Sequence, residues 1–257
     1  MKQRKVLILL VVIAVFTVVL RTSPRGQRSV PPQPLPQGKV EVDKEQWPMT
    51  DYNAPEPGDP VKRDKRRARN AHHDKEETVR EPDMRPGHAS ETTMTTDWEV
   101  RLPELPAYQS DAVIVGEVLD AGAYLSNDKT GVYSEFTIKI ADVLKSDSSH
   151  LTQGSSLVAE RLGGRVRFPS GGILPVTVRG QGMPRVGRRY VFFLKRIDQG
   201  QAYDILTGYE LRAGKVSPLD GRRATGGGHP WAFDKYEGWD EGAFMDAVCI
   251  EIANPSS

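Results

Sequence analysis

At 257 residues the chain has room for one or two folded units, but 19 prolines and dense runs of charge argue against order throughout. A formal net charge of +1 excludes a global field that would select charged partners, and the single cysteine, Cys249, excludes an internal disulfide. A fold held without a disulfide must be held by its own core.

The N-terminus carries the sharpest signal. MKQRK precedes an uninterrupted apolar run from Val6 to Leu20, which as a helix spans roughly 23 Å at 1.5 Å per residue against about 30 Å of hydrocarbon. Basic residues before an apolar run also describe a signal peptide. The following RTSPRG offers no small-x-small cleavage site, which favours an anchor over residues 1–21. Lys2, Arg4 and Lys5 on one flank nearly balance Arg21, Arg25 and Arg28 on the other. The N-terminal amine tips the comparison, so the expected arrangement is a single pass through the cytoplasmic membrane with the rest of the chain outside the cytoplasm.

Residues 22–108 show no sustained periodicity. SVPPQPLPQG reads as extended, and VKRDKRRARN and AHHDKEETVREPD are nearly free of apolar side chains, so this stretch is expected to be a disordered stalk that supplies reach. The basic cluster from Lys62 to Arg69 is expected to be a solvated charge run. His72, His73 and Asp74 have metal-ligand chemistry, but a mobile linker preorganises no ligands, so no metal is expected there.

Strand-like segments follow through 109–220. AVIVGEV, VYSEFTIKIADVLK, SLVAERL, ILPVTV, YVFFLKR and YDILTG, with YELR and KVSP after them, are separated by SNDKTG, LTQG, GGRVRFPSGG, GQGMPRVG, DQGQ and RAGK. Short strands with Gly-rich turns and no helix between them predict an all-β domain. In the second segment Phe136, Ile138 and Ile140 share one face, and past Ile140 the apolar parity slips by one residue. An inserted bulge residue accounts for that slip and bends the strand, as small barrels require. YVFFLKR is apolar on both faces, so it needs a cover from outside. The candidate is a C-terminal helix in 221–257, where Phe244, Val248 and Ile252 form a stripe after a Gly-rich linker. Cys249 beside that stripe is expected to be a small core residue.

Catalytic patterns are sparse. The folded region offers His150 and His229 at loop positions, with no G-x-S-x-G, H-E-x-x-H or C-x-x-C spacing, so no enzyme, cofactor or metal is expected. One asymmetry stands out: between Arg161 and Arg196 there is no Asp or Glu. Arg165, Arg167, Arg185, Arg188 and Arg189, on the Gly-rich hairpins of that interval, are the candidate ligand contacts for a polyanion. Cross-strand pairing with the acidic segment from Asp111 to Glu160 is the competing reading.

The segments VIVGEV, VYSEFTIKIADVLK, GGRVRFPSG, GQGMPRVGRRYVFFL and ILTGYELR, ending in an Ala/Phe-rich helix, resemble a family of uncharacterised bacterial proteins. These join an N-terminal membrane segment or signal to an oligonucleotide/oligosaccharide-binding-like (OB-like) β-barrel. The resemblance covers about the last 145 residues, and its motifs, Gly116 and Gly187 among them, are structural. It implies an envelope protein and leaves the ligand open. The expectation is therefore a non-enzymatic, membrane-tethered extracytoplasmic module binding an anionic envelope polymer or a protein, with nucleic acid not expected. The alternatives are a netrin-like protease inhibitor, which the lone Cys249 disfavours, and a hydrolytic enzyme with an unrecognised site.

Overall fold

The computed structural model describes residues 47–81, 92–94, 102–147, 151–197, 202–221 and 232–254. The apolar N-terminal run, the proline-rich stretch, His150 and His229 lie outside the described residues. Among the described residues no helix is long and apolar enough to cross a membrane.

Among the described residues the chain is mostly β, with two α-helices, one of them C-terminal. Its strands are β1 (Met49–Asp51), β2 (Thr92–Met94), β3 (Ala112–Leu125), β4 (Val132–Ser146) and β5 (Ser156–Leu162). There follow β6 (Gly164–Arg167), β7 (Ile173–Val178), β8 (Arg189–Arg196), β9 (Tyr203–Arg212) and β10 (Lys215–Pro218). The helices are α1 (Pro60–Asn70) and α2 (Glu241–Ala253).

The larger sheet runs β10-β9-β5-β4-β3-β8, and β9 pairs with β8 as well. Each of β3, β4, β5 and β8 therefore has two hydrogen-bonded neighbours and β9 has three, and the β5–β9 pairing is parallel while the others are antiparallel. The bulge expected past Ile140 is present: Gly116 pairs with Ile140 and Val115 with Asp142, leaving Ala141 extra, and Leu144 is skipped in the same way. Val143 consequently stays against the core that Phe136, Ile138 and Ile140 fill. At Gly116 a Cβ would collide with Ile138, so only glycine lets β3 and β4 approach there.

The two apolar faces of β8 divide two cores. Tyr190, Phe192 and Leu194 join Ile114, Ile138 and Phe136 on the inner side. Val191 and Phe193 pack outside with Tyr209, Phe244 and Val248, so α2 is the cover that the two-sided strand requires. Asp240 caps α2 by accepting from the backbone of Gly242 and Ala243. Cys249 is exposed, not in the core, because the buried side of α2 is centred on Phe244 and Val248.

The linker reading of 22–108 needs correction over the described parts, 47–81, 92–94 and 102–108, the last of which sends Leu105 and Ala107 into the outer core. A smaller sheet has the order β1-β6-β7-β2, in which β1 and β2 add in parallel to the edges of the β6–β7 hairpin. The segment read as turn chemistry, GGRVRFPSGG, supplies β6. Val79 and Tyr52 pack into the core of Val132, Val166, Phe168 and Val176. The charged run forms α1, with Pro60 in its first turn, Asp59 accepting from the Lys62 N–H at 2.9 Å, and Arg67 and Arg69 in the last turn, where the helix dipole favours cations. No α1 side chain is buried. Charge pairing, not an apolar stripe, seats this helix.

A carboxylate row and a cavity

Three carboxylates stand in register across the larger sheet. Glu135 on β4 pairs with Glu160 on β5, and Glu160 pairs with Asp204 on β9. Directly paired residues share one face of a sheet, so like charges there repel unless cations intervene. The cations come from α1 and the turn that follows it.

Glu135 is closed first. Arg66 grips both of its oxygens, Oε2 at 3.1 Å, and Arg69 reaches Oε1 at 3.2 Å. The Arg66 guanidinium also lies 3.5 Å above the centre of the Tyr124 ring and donates to the Tyr133 hydroxyl, which in turn donates to Asn70. Burial opposes the charge of Arg66, but Glu135 outweighs it and holds the guanidinium above its ordinary value. Burial, with Glu135 beside it, keeps the Tyr133 phenol un-ionised.

Glu160 is 1% exposed and has a weaker companion. His73, in the turn Ala71–His73 after α1, stacks on Tyr133 at 4.1 Å and brings Nε2 to 3.8 Å from Glu160 Oε1. That separation is an ion-pair distance and too long for a hydrogen bond. Asp74 and Asp128 hold this turn against the β3–β4 loop: Asp74 accepts from the Asn127 N–H at 2.8 Å, and Asp128 accepts from the Lys75 N–H at 2.8 Å. The hydrogen bond from Ser126 leads those that hold the Asp128 carboxyl well below the usual carboxylate range.

Asp204 ends the row with no ion-pair partner among the described residues. It is accessible, yet surrounding protein withholds much of its hydration. That loss first, and Glu160 second, push its carboxyl up to about 6.

Asp204 and Glu160 open onto a cavity of about 940 Å³. His72, His73 and Glu76 wall it on one side, and Tyr108 and Gln109 from the loop before β3 on another. Gln181 enters from the β7–β8 loop and Lys195 from the end of β8. Four buried atoms of this lining, His73 Nε2, Gln109 Oε1, Glu160 Oε2 and Gln181 Oε1, make no hydrogen bond within the protein. Buried polar atoms are nearly always paired. Four exceptions fall in this one lining.

The lining cations are already engaged. Arg161 is 3% exposed and bonds both oxygens of the fully buried Asp220 at 2.7 Å, with Gly182 O at 2.6 Å and Leu206 O at 3.2 Å. Lys195 binds Asp111 at 2.9 Å. Burial works against the Asp111 charge, but the Arg196 N–H and the Lys195 ammonium prevail and hold the carboxyl below its ordinary value.

The five arginines named from the sequence fall in two places. Arg165 and Arg167 lie on β6 in the smaller sheet, whereas Arg185, Arg188 and Arg189 lie at or just before β8 in the larger one. Arg167 stands 3.6 Å from Asp51 and Arg188 3.8 Å from Glu210, and Arg189 pairs with Glu241. The Arg185 backbone N–H donates to the Tyr190 hydroxyl at 3.0 Å; burial comes first among the causes that push that phenol up to about 12. Sequence reasoning considered His73 and set it aside, and it passed over Glu160 and Asp204. The available signal was the spacing of Arg66, Arg69 and His73, about one helical face. Compared with known families and curated proteins, the chain matches no family model and no curated protein.

Proposed function

We propose that this chain is a non-enzymatic binding module in which an OB-like barrel takes its ligand in the cavity above Glu160 and Asp204. Residues 1–21 tether it to the cytoplasmic membrane in a single pass, with the barrel on the extracytoplasmic side. The pairing of β3 with both β4 and β8, and of β5 in parallel with β9, supports the OB-like reading. The uninterrupted apolar run from Val6 to Leu20 supports the tether.

One observation carries the binding reading: four buried polar atoms without protein partners converge on one cavity. A drug-sized or sugar-sized molecule fills such a volume. A polyanion on Arg165, Arg167, Arg185, Arg188 and Arg189 would have to displace Asp51, Glu210 and Glu241 from three of them, so the cavity is the stronger site.

The test is thermal unfolding of the full chain in detergent micelles with maltose, 1,4-diaminobutane and polyphosphate as separate probes. At a hundredfold excess over Kd, binding adds about 2.7 kcal/mol, or about 5–10 °C in Tm for a chain of this size. The expected result is a rise with one probe that Glu160→Gln and His73→Ala both remove. A rise that survives both substitutions, or no rise with any probe, overturns the cavity.

A further inference from the structure

We infer that the cavity selects a ligand presenting a primary ammonium or guanidinium group, which lodges between Glu160 and Asp204. This rests on the cavity being the binding site and adds the chemistry it recognises.

The row of three carboxylates is compensated from one end only. Glu135 receives two guanidinium groups, Glu160 receives one imidazole at 3.8 Å, and Asp204 receives no cation among the described residues. Two in-register carboxylates side by side, one of them 1% exposed, are met by one imidazole at 3.8 Å and, across the β8–β9 ladder, by Lys195, whose ammonium binds Asp111 instead. The nearby cations are not free to move in, since Arg161 is held by Asp220 and Lys195 by Asp111.

The unpartnered atoms sharpen the choice. Three of these atoms, Glu160 Oε2, Gln109 Oε1 and Gln181 Oε1, are acceptors and call for donors from the ligand. An ammonium brings three and a guanidinium five, each with the positive charge that the row lacks. A polyol brings donors without charge. Tyr108, 64% exposed on the cavity lining, offers an aromatic face to a cation or to its alkyl stem. A free amine and a basic side chain of a peptide present this same head.

Acidification opposes such a ligand. Asp204 faces Glu160 and Arg161 on β5, His72, His73 and Glu76 from the turn after α1, and Lys195 on β8. Between pH 7.5 and 5 Asp204 gains a proton, and its lost charge subtracts from attraction to a cation. With the carboxyl at about 6, its ionised share at pH 5 is about a tenth, so affinity falls by about tenfold.

Calorimetric titration of the full chain in micelles tests this with 1,4-diaminobutane, Nα-acetyl-lysine methylamide, 1,4-butanediol and phosphate. The expected result is saturable binding of at least one amine, weakened about tenfold by Asp204→Asn and by pH 5, and none of the diol. Tighter binding of the lysine derivative identifies a side chain as the natural head, and tighter binding of the diamine a free amine. Diol or phosphate binding that Glu160→Gln abolishes keeps the cavity and overturns the cation. Amine binding unchanged by Asp204→Asn also overturns it, and the accessible position of Asp204 keeps that variant folded. Failure of every probe, or binding that Glu160→Gln leaves intact, removes both readings.

Discussion

Glu135 and Asp204 occupy the two ends of one lateral row on one sheet, yet their surroundings differ throughout. Glu135 has two guanidinium groups, an adjacent phenol and an aromatic face behind the first guanidinium. Asp204 has a neighbouring carboxylate and a cavity. The first end is saturated within the chain and holds a helix in place. The second keeps valence to spare, and its displaced titration is the mark of that incompleteness. On the proposed reading, charge that fastens a fold and charge that recognises a ligand sit two strands apart, distinguished by whether their partners are already present.

Four substitutions test the contrast. Asp220→Ala strands the Arg161 guanidinium in the interior and costs about 3–5 kcal/mol, read as a shift of the urea midpoint with little change in slope. Glu135→Gln leaves Arg66 and Arg69 to share a neutral amide and costs about 1.5–3 kcal/mol; a smaller loss would mean that α1 is held by something other than the saturated end. Asp204→Asn acts in the opposite direction. Its carboxyl titrates at about 6 against an ordinary 3.8, so the native state retains a proton that the unfolded chain releases. The contribution of this group to stability is greatest below about pH 4 and declines as pH rises toward 6. The amide abolishes that decline, and after allowance for exposure raises Tm at pH 7 by about 1–3 °C. A fall in Tm at pH 7 would show that Asp204 is satisfied within the fold. Glu56→Ala, which removes the exposed partner of Arg67, changes stability by less than about 0.5 kcal/mol. A larger loss there would erase the distinction between paired surface charge and the buried grip on Glu135.

Much of the larger sheet was legible because its signals are local. The period of two in Phe136, Ile138 and Ile140 located a face, and the slip after Ile140 located a bulge. The two apolar faces of Tyr190–Leu194 called for a cover, and α2 provides it. The site was less legible because its logic is pairwise at long range. Arg66 and Arg69 looked like solvated charge since their carboxylate lies 69 and 66 residues further on. His73 looked stranded in a linker because the strands that bury it come later still. Glu160 and Asp204 gave no sign in isolation, for their adjacency is created by a parallel pairing that no turn between them announces. The arginine asymmetry was visible, but register, which composition does not encode, gave three of the five residues acidic neighbours.

The parallel pairing of β5 with β9 also sets an order of events in time. A helix of eleven residues that buries no side chain is marginal alone, so α1, synthesised early, waits for Glu135 before it has anything to lean on. The cavity waits longer, because its walls run from His72 to Leu206 and close only once β9 has docked beside β5. Contacts so distant along the chain are the slowest to form. The cavity is then completed no earlier than the docking of β9, the same step that brings Tyr203 and Ile205 into the inner core.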